Sequence, residues 1–349
     1  MKYYIPLIVI VAIILGAIAL VSRPAPNAVL PPEGGPVETS LPTASQSPVV
    51  VEEDDAPVPD EFSLPAFFEK EFDGRDLQLG QVLADNESYT RHYITYRSGD
   101  LTISGIMNVP KGAGPFPVII ANHGYIDPAI YTNGRGLKRE QDYLARAGYV
   151  VLHPDYRNYA DSSDDAGNDV RFRLGYVEDV INAVYAIKNS DIDSIDKNKI
   201  GMLGHSMGGG VTTNVIAIQP ELVQAAVLFA PVSANQENNF ERWLSRRPEV
   251  ANEILRLFGP PTKDSEFWRN ISVSNFLDRI TAPVMIHHGT SDASVPLEWS
   301  QELAQQMQGA DKDITLHVYP GEPHEFTDAW PTVMQRTVEF FDQHVKTAS

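Results

Sequence analysis

Five continuous apolar runs constrain the fold of this chain more than any other feature: Pro117–Ala121, Tyr149–Leu152, Ile200–Leu203, Ala225–Phe229 and Val284–Ile286. None of them alternates with polar residues, and each is too short to be a helix. Such runs suit strands that are covered on both faces. Helical patterns fill most of the intervals, at about 136–147, 169–189, 207–219 and 296–308, and a last one covers about 326–346. Strand and helix in alternation predict a mainly parallel sheet with helices on both faces. Sites in such sheets form at the carboxyl ends of the strands. Upstream the pattern differs. His92–Tyr96 and Leu101–Val109 alternate around Ser98-Gly99-Asp100, which predicts an antiparallel hairpin.

The chain ahead of the hairpin is of another kind. Met1-Lys2-Tyr3-Tyr4 precedes an apolar run from Ile5 to Val21, with no charge until Arg23. As a helix the run reaches roughly 25 Å at ~1.5 Å per residue. Residues 1–22 therefore read as an uncleaved signal-anchor, with a cleaved signal peptide as the alternative (Ala17-Ile18-Ala19 offers the small-x-small site). Residues 23–63 are rich in Pro, Ser, Thr and acids and cannot bury enough apolar surface to fold. They read as a spacer that holds the domain of residues 64–349 outside the cytoplasm and off a membrane. Net charge is −19, part of it in this spacer, and no basic block occurs, which argues against nucleic acid as a partner. The absence of cysteine excludes thiolate chemistry, disulfides and a lipid-modified cysteine. The oligomeric state is not legible.

Within the domain, GHSMGGG at 204–210 follows the run Ile200–Leu203 and opens a helical pattern. A serine on a sharp strand-to-helix turn projects above the sheet edge, and the crowded turn demands small residues two before and two after it. Gly204 and Gly208 meet that demand around Ser206. The helix start also offers unpaired N–H groups and the positive end of a dipole to a developing oxyanion. A serine nucleophile needs a base. His324, in the Gly/Pro loop Tyr319–Phe326 before the last helix, is the histidine best placed to serve. His287, His288 and His317 fall in strands, and His123 precedes the serine, so these four read as structural. Asp292, in the loop after the strand Val284–Ile286, is the candidate acid that orients the imidazole. Asp311, Asp313 and Glu322 are weaker by position. The N–H groups of Met207 and of Tyr125, in the loop Asn122-His123-Gly124-Tyr125, are the expected oxyanion donors. Ser206, Asp292 and His324 are thus the expected catalytic set. No His-x-x-x-His or similar spacing appears, so neither a metal nor another cofactor is expected.

At these residues the chain resembles an α/β-hydrolase. It is most similar to the catalytic domain of the prolyl oligopeptidase (S9) family and to dienelactone-hydrolase-like serine hydrolases. GHSMGGG, HHGTSDASVP, GEPHEF and PDYRNYADS carry the likeness over about residues 80–346. The resemblance implies a serine hydrolase of carboxylic esters or amides, with Ser206 as nucleophile, Asp292 as acid and His324 as base. Two departures stand out. The family's oxyanion loop often reads His-Gly-Gly-Pro, and here it is His123-Gly124-Tyr125-Ile126. Family peptidases also carry a large N-terminal β-propeller, and the short segment ahead of residue 64 is not expected to form one. Small esters are therefore the expected substrates, with short peptides as the alternative. A non-catalytic binding module on the same fold is the alternative of another class, but its usual mark, a missing triad member, is not found.

Residues 233–276 interrupt the alternation between the fourth and fifth apolar runs. They contain Phe240, Trp243, Leu244, Leu255, Leu257, Phe258, Phe267 and Trp268, and Glu249–Phe258 has amphipathic helical spacing. The segment reads as a small helical lid whose aromatics line an acyl pocket. Arg242, Arg246 and Arg247 in it are candidates to hold an anionic group.

Overall fold

The computed structural model describes residues 59–262 and 265–347. The apolar run Ile5–Val21 and the spacer up to residue 58 lie outside the described residues. Among the described residues, no helix is long and apolar enough to cross a membrane.

Nine strands form one mixed sheet: β1 (Arg75–Asp85), β2 (Tyr89–Ser98), β3 (Leu101–Pro110), β4 (Phe116–Asn122), β5 (Val150–Pro154), β6 (Ile195–His205), β7 (Ala225–Phe229), β8 (Val284–Gly289) and β9 (Ile314–Tyr319). Their order across the sheet is β1-β2-β3-β5-β4-β6-β7-β8-β9. The first four in that order pair antiparallel, and all pairings from β5 to β9 are parallel. The expected hairpin is β2–β3, turning at Gly99 and Asp100, and the five apolar runs are β4 to β8.

The apolar runs owe their continuity to two cores, one on each side of the sheet. Along β4, Val118 and Ile120 enter one core, and Ile119 and Ala121 the other. The first core is closed by α1 (Leu64–Phe68), α3 (Leu174–Lys188), α4 (Met207–Ile218) and α8 (Leu297–Gly309). The second is closed by α2 (Lys138–Arg146) and α9 (Trp330–Phe341). Between β7 and β8 lie α5 (Gln236–Arg242), α6 (Pro248–Phe258) and α7 (Glu266–Asn270). They bury Phe240, Leu244, Ala251, Ile254, Phe267, Trp268 and Ile271 together with Phe172 in a third, separate cluster.

Two helices start later than their sequence pattern suggests. α3 begins at Leu174 because Phe172 and Arg173 have left-handed backbones, with φ of 51° and 61°. α9 begins at Trp330 because the Glu322 carboxylate accepts the N–H groups of Thr327 (2.6 Å) and Ala329 (3.0 Å), while Phe326 stands at φ 48°. These contacts shape 326–329 into a turn. The edge strand β1 has no counterpart in the apolar pattern. It is exposed along most of its length and pairs with β2 through three breaks in register.

The PDYRNYADS stretch leaves β5 and is held by buried charge. Arg157 meets Asp179 of α3 twice, with Nη2 2.8 Å from Oδ1 and Nε 3.0 Å from Oδ2. It also reaches Asp165 (3.0 Å) and Glu178 (3.1 Å). Ser98, at the end of β2, donates to Asp179 at 2.9 Å. Burial pushes the Asp179 carboxyl up, and the Arg157 guanidinium opposes that shift.

Candidate active site

Ser206 stands between the end of β6 and the start of α4, with φ 56° and ψ −119°. A residue with a Cβ pays for such a backbone in strain, of order 1–3 kcal/mol, and it persists only where its surroundings impose it. Here they do so visibly. The Ser206 N–H donates to the Phe229 carbonyl at 2.8 Å, and the Ser206 carbonyl accepts from Gly209 (2.9 Å), Gly210 (3.2 Å) and Val232 (3.1 Å). The glycines flanking the turn are demanded by contact. A Cβ on Gly204 would lie 2.2 Å from the Gly208 carbonyl oxygen, and one on Gly208 would lie 2.0 Å from that of Asn122.

The loop after β4 comes up beside the serine. A Cβ on Gly124 would sit 3.1 Å from the Ser206 Cβ, so glycine allows the close approach. Among the described residues, neither the Tyr125 nor the Met207 N–H has an acceptor. Both residues line the same cavity as Ser206, of about 550 Å³. His123 is buried beneath this loop. Its Nδ1 lies 2.7 Å from the Gly124 carbonyl and its Nε2 3.1 Å from the Asp155 carbonyl, while its ring stacks on Tyr156 at 4.3 Å. Desolvation lowers its pKa. It sits where it can hold the loop and is not directed at Ser206.

His324 lines the cavity with Ser206. No hydrogen bond joins the two side chains. Nδ1 of His324 lies 2.6 Å from Oδ2 of Asp292. The other carboxylate oxygen accepts the N–H groups of Ser294 (2.8 Å) and Val295 (2.9 Å), so Asp292 forms its own turn rather than capping α8. Burial pushes the Asp292 carboxyl up, but the bonds from His288, His324 and Val295 outweigh it and hold the group well below the usual carboxylate range. The rival acids stand elsewhere: Glu322 caps the turn before α9, and Asp311 and Asp313 flank the start of β9.

Several contributors were not singled out from the sequence. His288, read as structural, is fully buried with Nε2 3.3 Å from Asp292 Oδ2 and Nδ1 2.7 Å from Ser300 Oγ. His205 lines the cavity with its ring 4.4 Å from that of His324, and burial, then the neighbouring His324, pushes its pKa down to about 3. Arg173 donates to Met207 Sδ at 3.3 Å and lies 5.0 Å over the Tyr125 ring, so it touches both residues whose N–H groups are free. Asp155, also fully buried, accepts from Ser104 (2.6 Å), Tyr131 (2.7 Å), Asn133 (2.7 Å) and Gly134 (2.8 Å), fixing the chain that follows Tyr125. None of these carries a local signal. His288 meets Asp292 only four residues on, whereas Asp155, Arg173 and His205 owe their contacts to partners distant in sequence.

The 233–276 segment departs from expectation in detail. Trp243 and Leu244 line the cavity, whereas Phe240, Phe258, Phe267 and Trp268 pack in the segment's own cluster. Of the three arginines expected to hold an anionic group, two are already partnered. Arg242 binds the carbonyls of Ser294 (2.9 Å) and Ala293 (3.2 Å), beside Asp292, and Arg247 pairs with Asp169 at 2.7 Å. His205, His324 and Glu325 converge in space although no spacing announces it.

A parallel sheet carrying a serine at a strained strand-to-helix turn, with the histidine and aspartate loops after later strands, defines an α/β-hydrolase fold. The chain belongs to the prolyl oligopeptidase family, whose model matches residues 135–348. Esterase EstD of Thermotoga maritima is 24% identical over 241 residues, covering 60% of this chain and 56% of that protein. Dipeptidyl aminopeptidase BIII of Pseudoxanthomonas mexicana is 24% identical over 252 residues, covering 69% and 34%. The chain thus spans from about a third to just over half of the length of these relatives. In fold it is similar to acetyl xylan esterase 1 from Thermoanaerobacterium, with a TM-score of 0.62, 20% identity, and coverage of 81% of this chain and 93% of that one. It is likewise similar to an acylaminoacyl peptidase of Pyrococcus horikoshii, with a TM-score of 0.61, 19% identity, and coverage of 75% and 42%.

Proposed function

We propose that this protein is a serine hydrolase that cleaves small carboxylic esters through an acyl-enzyme. The observation that carries the reading is the convergence, at one cavity, of Ser206 on its strained turn and of His324 held by Asp292. In this reading Ser206 Oγ attacks the ester carbonyl carbon while His324 Nε2 takes its proton. Asp292 keeps the other imidazole nitrogen protonated and stabilises the imidazolium. The carbonyl oxygen, now an oxyanion, accepts from the N–H groups of Met207 and Tyr125. Collapse expels the alcohol, to which His324 returns the proton. Water then repeats the cycle and releases the acid. Removal of one oxyanion donor from such a site typically lowers the rate ~10²–10³-fold.

Esters are favoured over peptides by the charge of the cavity. Its lining includes Glu325 as a single carboxylate, and its two arginines, Arg173 and Arg247, are both paired with Asp169. That lining suits a neutral, largely apolar acyl group better than the cationic amino terminus of a short peptide. Relatives of both kinds, esterases and aminopeptidases, keep the peptide reading as the alternative. The test compares p-nitrophenyl esters of several chain lengths with aminoacyl and dipeptidyl nitroanilides. We expect kcat/KM for a short ester to exceed that for any dipeptidyl anilide by well over tenfold, about 1.4 kcal/mol per decade. A dipeptidyl anilide that matched the ester would restore the peptidase reading. A fluorophosphonate probe should label Ser206 and leave Ser206→Ala unlabelled.

We also propose that residues 1–22 anchor the protein at a membrane and that 23–63 space the domain from it outside the cytoplasm. This rests on the apolar run Ile5–Val21 and the acidic, Pro-rich tract after it. Removal of residues 1–58 should move the protein from the membrane fraction to the soluble one without loss of turnover. Retention in the membrane would refute the anchor.

A further inference from the structure

We propose that His205, His324 and Glu325 form a binding site for a divalent cation of the zinc type, and that occupancy of this site blocks hydrolysis reversibly. A ring nitrogen of each histidine and a carboxylate oxygen of Glu325 all lie within 4.8 Å of one another, and all three residues line the cavity that holds Ser206. The contacts already made show which atoms are available. His324 Nδ1 is engaged by Asp292 at 2.6 Å, so Nε2 carries the lone pair. His205 keeps Nε2 3.2 Å from the His324 carbonyl and has its other nitrogen to offer. Glu325 is exposed, and Arg139, which binds its carbonyl, pairs with Glu140 instead of the Glu325 carboxylate.

The donor set suits the ion. Two imidazoles and a carboxylate, with a fourth position left to water, are a common arrangement for zinc. Bonds of ~2.0–2.1 Å place tetrahedral ligands about 3.4 Å apart, so closure requires movement of about 1.4 Å at most. Glu325, the exposed member of the three, has room to make its share of that movement. Support behind the ligands is also in place. A metal-bound histidine holds its orientation when its second nitrogen donates to a carboxylate, and Asp292 already accepts from His324. Arg139 binds the carbonyls of Glu325 (2.6 Å) and Phe326 (3.2 Å) and fixes the loop that presents both residues. Its positive charge opposes the ion, and its pairing with Glu140 at 3.4 Å offsets part of that charge.

The consequence for activity rests on the proposed function. An ion on His324 Nε2 occupies the lone pair that would take the serine proton, so bound metal and hydrolysis exclude each other. Chelators should leave turnover unchanged or raise it.

The test titrates the chelator-treated full chain with zinc chloride alone by calorimetry, in parallel with ester hydrolysis at the same zinc concentrations. We expect one site whose affinity falls at least about tenfold in Glu325→Gln and in His205→Gln, and is unchanged in His344→Gln, a histidine after α9 whose ring lies 4.6 Å from Phe340. Hydrolysis, scaled to each variant's zinc-free rate, should fall along the same binding curve. Zinc binding that both variants leave intact, or none up to millimolar zinc, overturns the site. Binding lost in the variants with no effect on an active enzyme overturns the block. Binding lost in the variants of a protein with no hydrolysis at all retains the site and refutes the catalytic reading instead.

Discussion

Replacement of Asp292 by Asn tests the candidate site at its most determinate point. The two carboxylate oxygens have different duties. Oδ1 accepts two main-chain N–H groups, from Ser294 and Val295, and Oδ2 faces His324 Nδ1 at 2.6 Å and His288 Nε2 at 3.3 Å. An amide has one acceptor oxygen to satisfy both. The turn will claim it, because two main-chain N–H groups, one of them part-buried, would otherwise lose their acceptor. The NH₂ group then faces His324 Nδ1 and forces it to be the acceptor. The proton moves to Nε2, where a base needs its lone pair. Wrong tautomers of this kind lower kcat by about 10⁴, or ~5.5 kcal/mol of transition-state stabilisation. The fold should survive, since the turn keeps its acceptor. The assay is steady-state hydrolysis of a short p-nitrophenyl ester, with circular dichroism as the check on folding. We expect kcat to collapse with KM little changed. A folded Asp292→Asn protein that kept a tenth of wild-type kcat would show that Asp292 does not set the tautomer.

Gly208→Ala should destabilise the protein by about 3 kcal/mol or more, because the new Cβ would meet the Asn122 carbonyl oxygen at 2.0 Å; a melting temperature equal to wild type would contradict the packing of the turn. Arg157→Ala should cost about 3–5 kcal/mol in chemical denaturation by leaving the buried Asp179 carboxylate unpaired, and Arg157→Ala with Asp179→Asn should recover part of the loss. Asp169 is pushed up by burial, but Arg173 and Arg247 more than offset this and hold its pKa below the ordinary value. Its ionised form therefore contributes stability that is fully present above about pH 4 and disappears as pH falls through the lowered folded pKa. Wild type should exceed Asp169→Asn by about 2 kcal/mol at pH 7 and converge with it in acid; a gap that widened in acid would reverse the assignment. Arg242→Ala should lower kcat more than thermal stability, since it releases the Ser294 and Ala293 carbonyls beside Asp292; an unchanged kcat would separate the helical segment from the site.

What could be read from the residues was what local pattern determines. β4 to β8 were visible because strands buried on both faces need unbroken apolar runs. The turn at Ser206 was visible because its crowding admits only glycine two residues to either side. The edge strand β1 was not visible, since with most of its length exposed no apolar period is required of it. The late starts of α3 and α9 were equally hidden, because the Glu322 carboxylate and the left-handed backbones of Phe172 and Arg173 shape the preceding residues into turns that override helix propensity. The residues around the candidate site divide in the same way. Ser206, Asp292 and His324 occupy positions relative to strands that sequence can locate. Asp155, Arg173, His205 and His288 act through neighbours that only the fold assembles, and the aromatics of 233–276 divided between cavity and cluster in a way that composition does not encode.

The irregular pairing of β1 bears on how this protein behaves among copies of itself. As the sheet's first strand, β1 offers a row of main-chain groups to any strand that approaches, and Leu79, Val82 and Leu83 lie exposed along it. A flat edge of that length and polarity would be a template for sheet-to-sheet accretion. The breaks in register between Arg75 and Gln78, Leu79 and Val82, and Val82 and Ala84 divide the row into pieces too short and too twisted for an incoming strand to follow. Backbone shape thus interrupts this rim, in addition to the charges of Arg75, Asp76 and Asp85 along it. A deletion that straightened β1 would remove those interruptions even with every residue of the core in place.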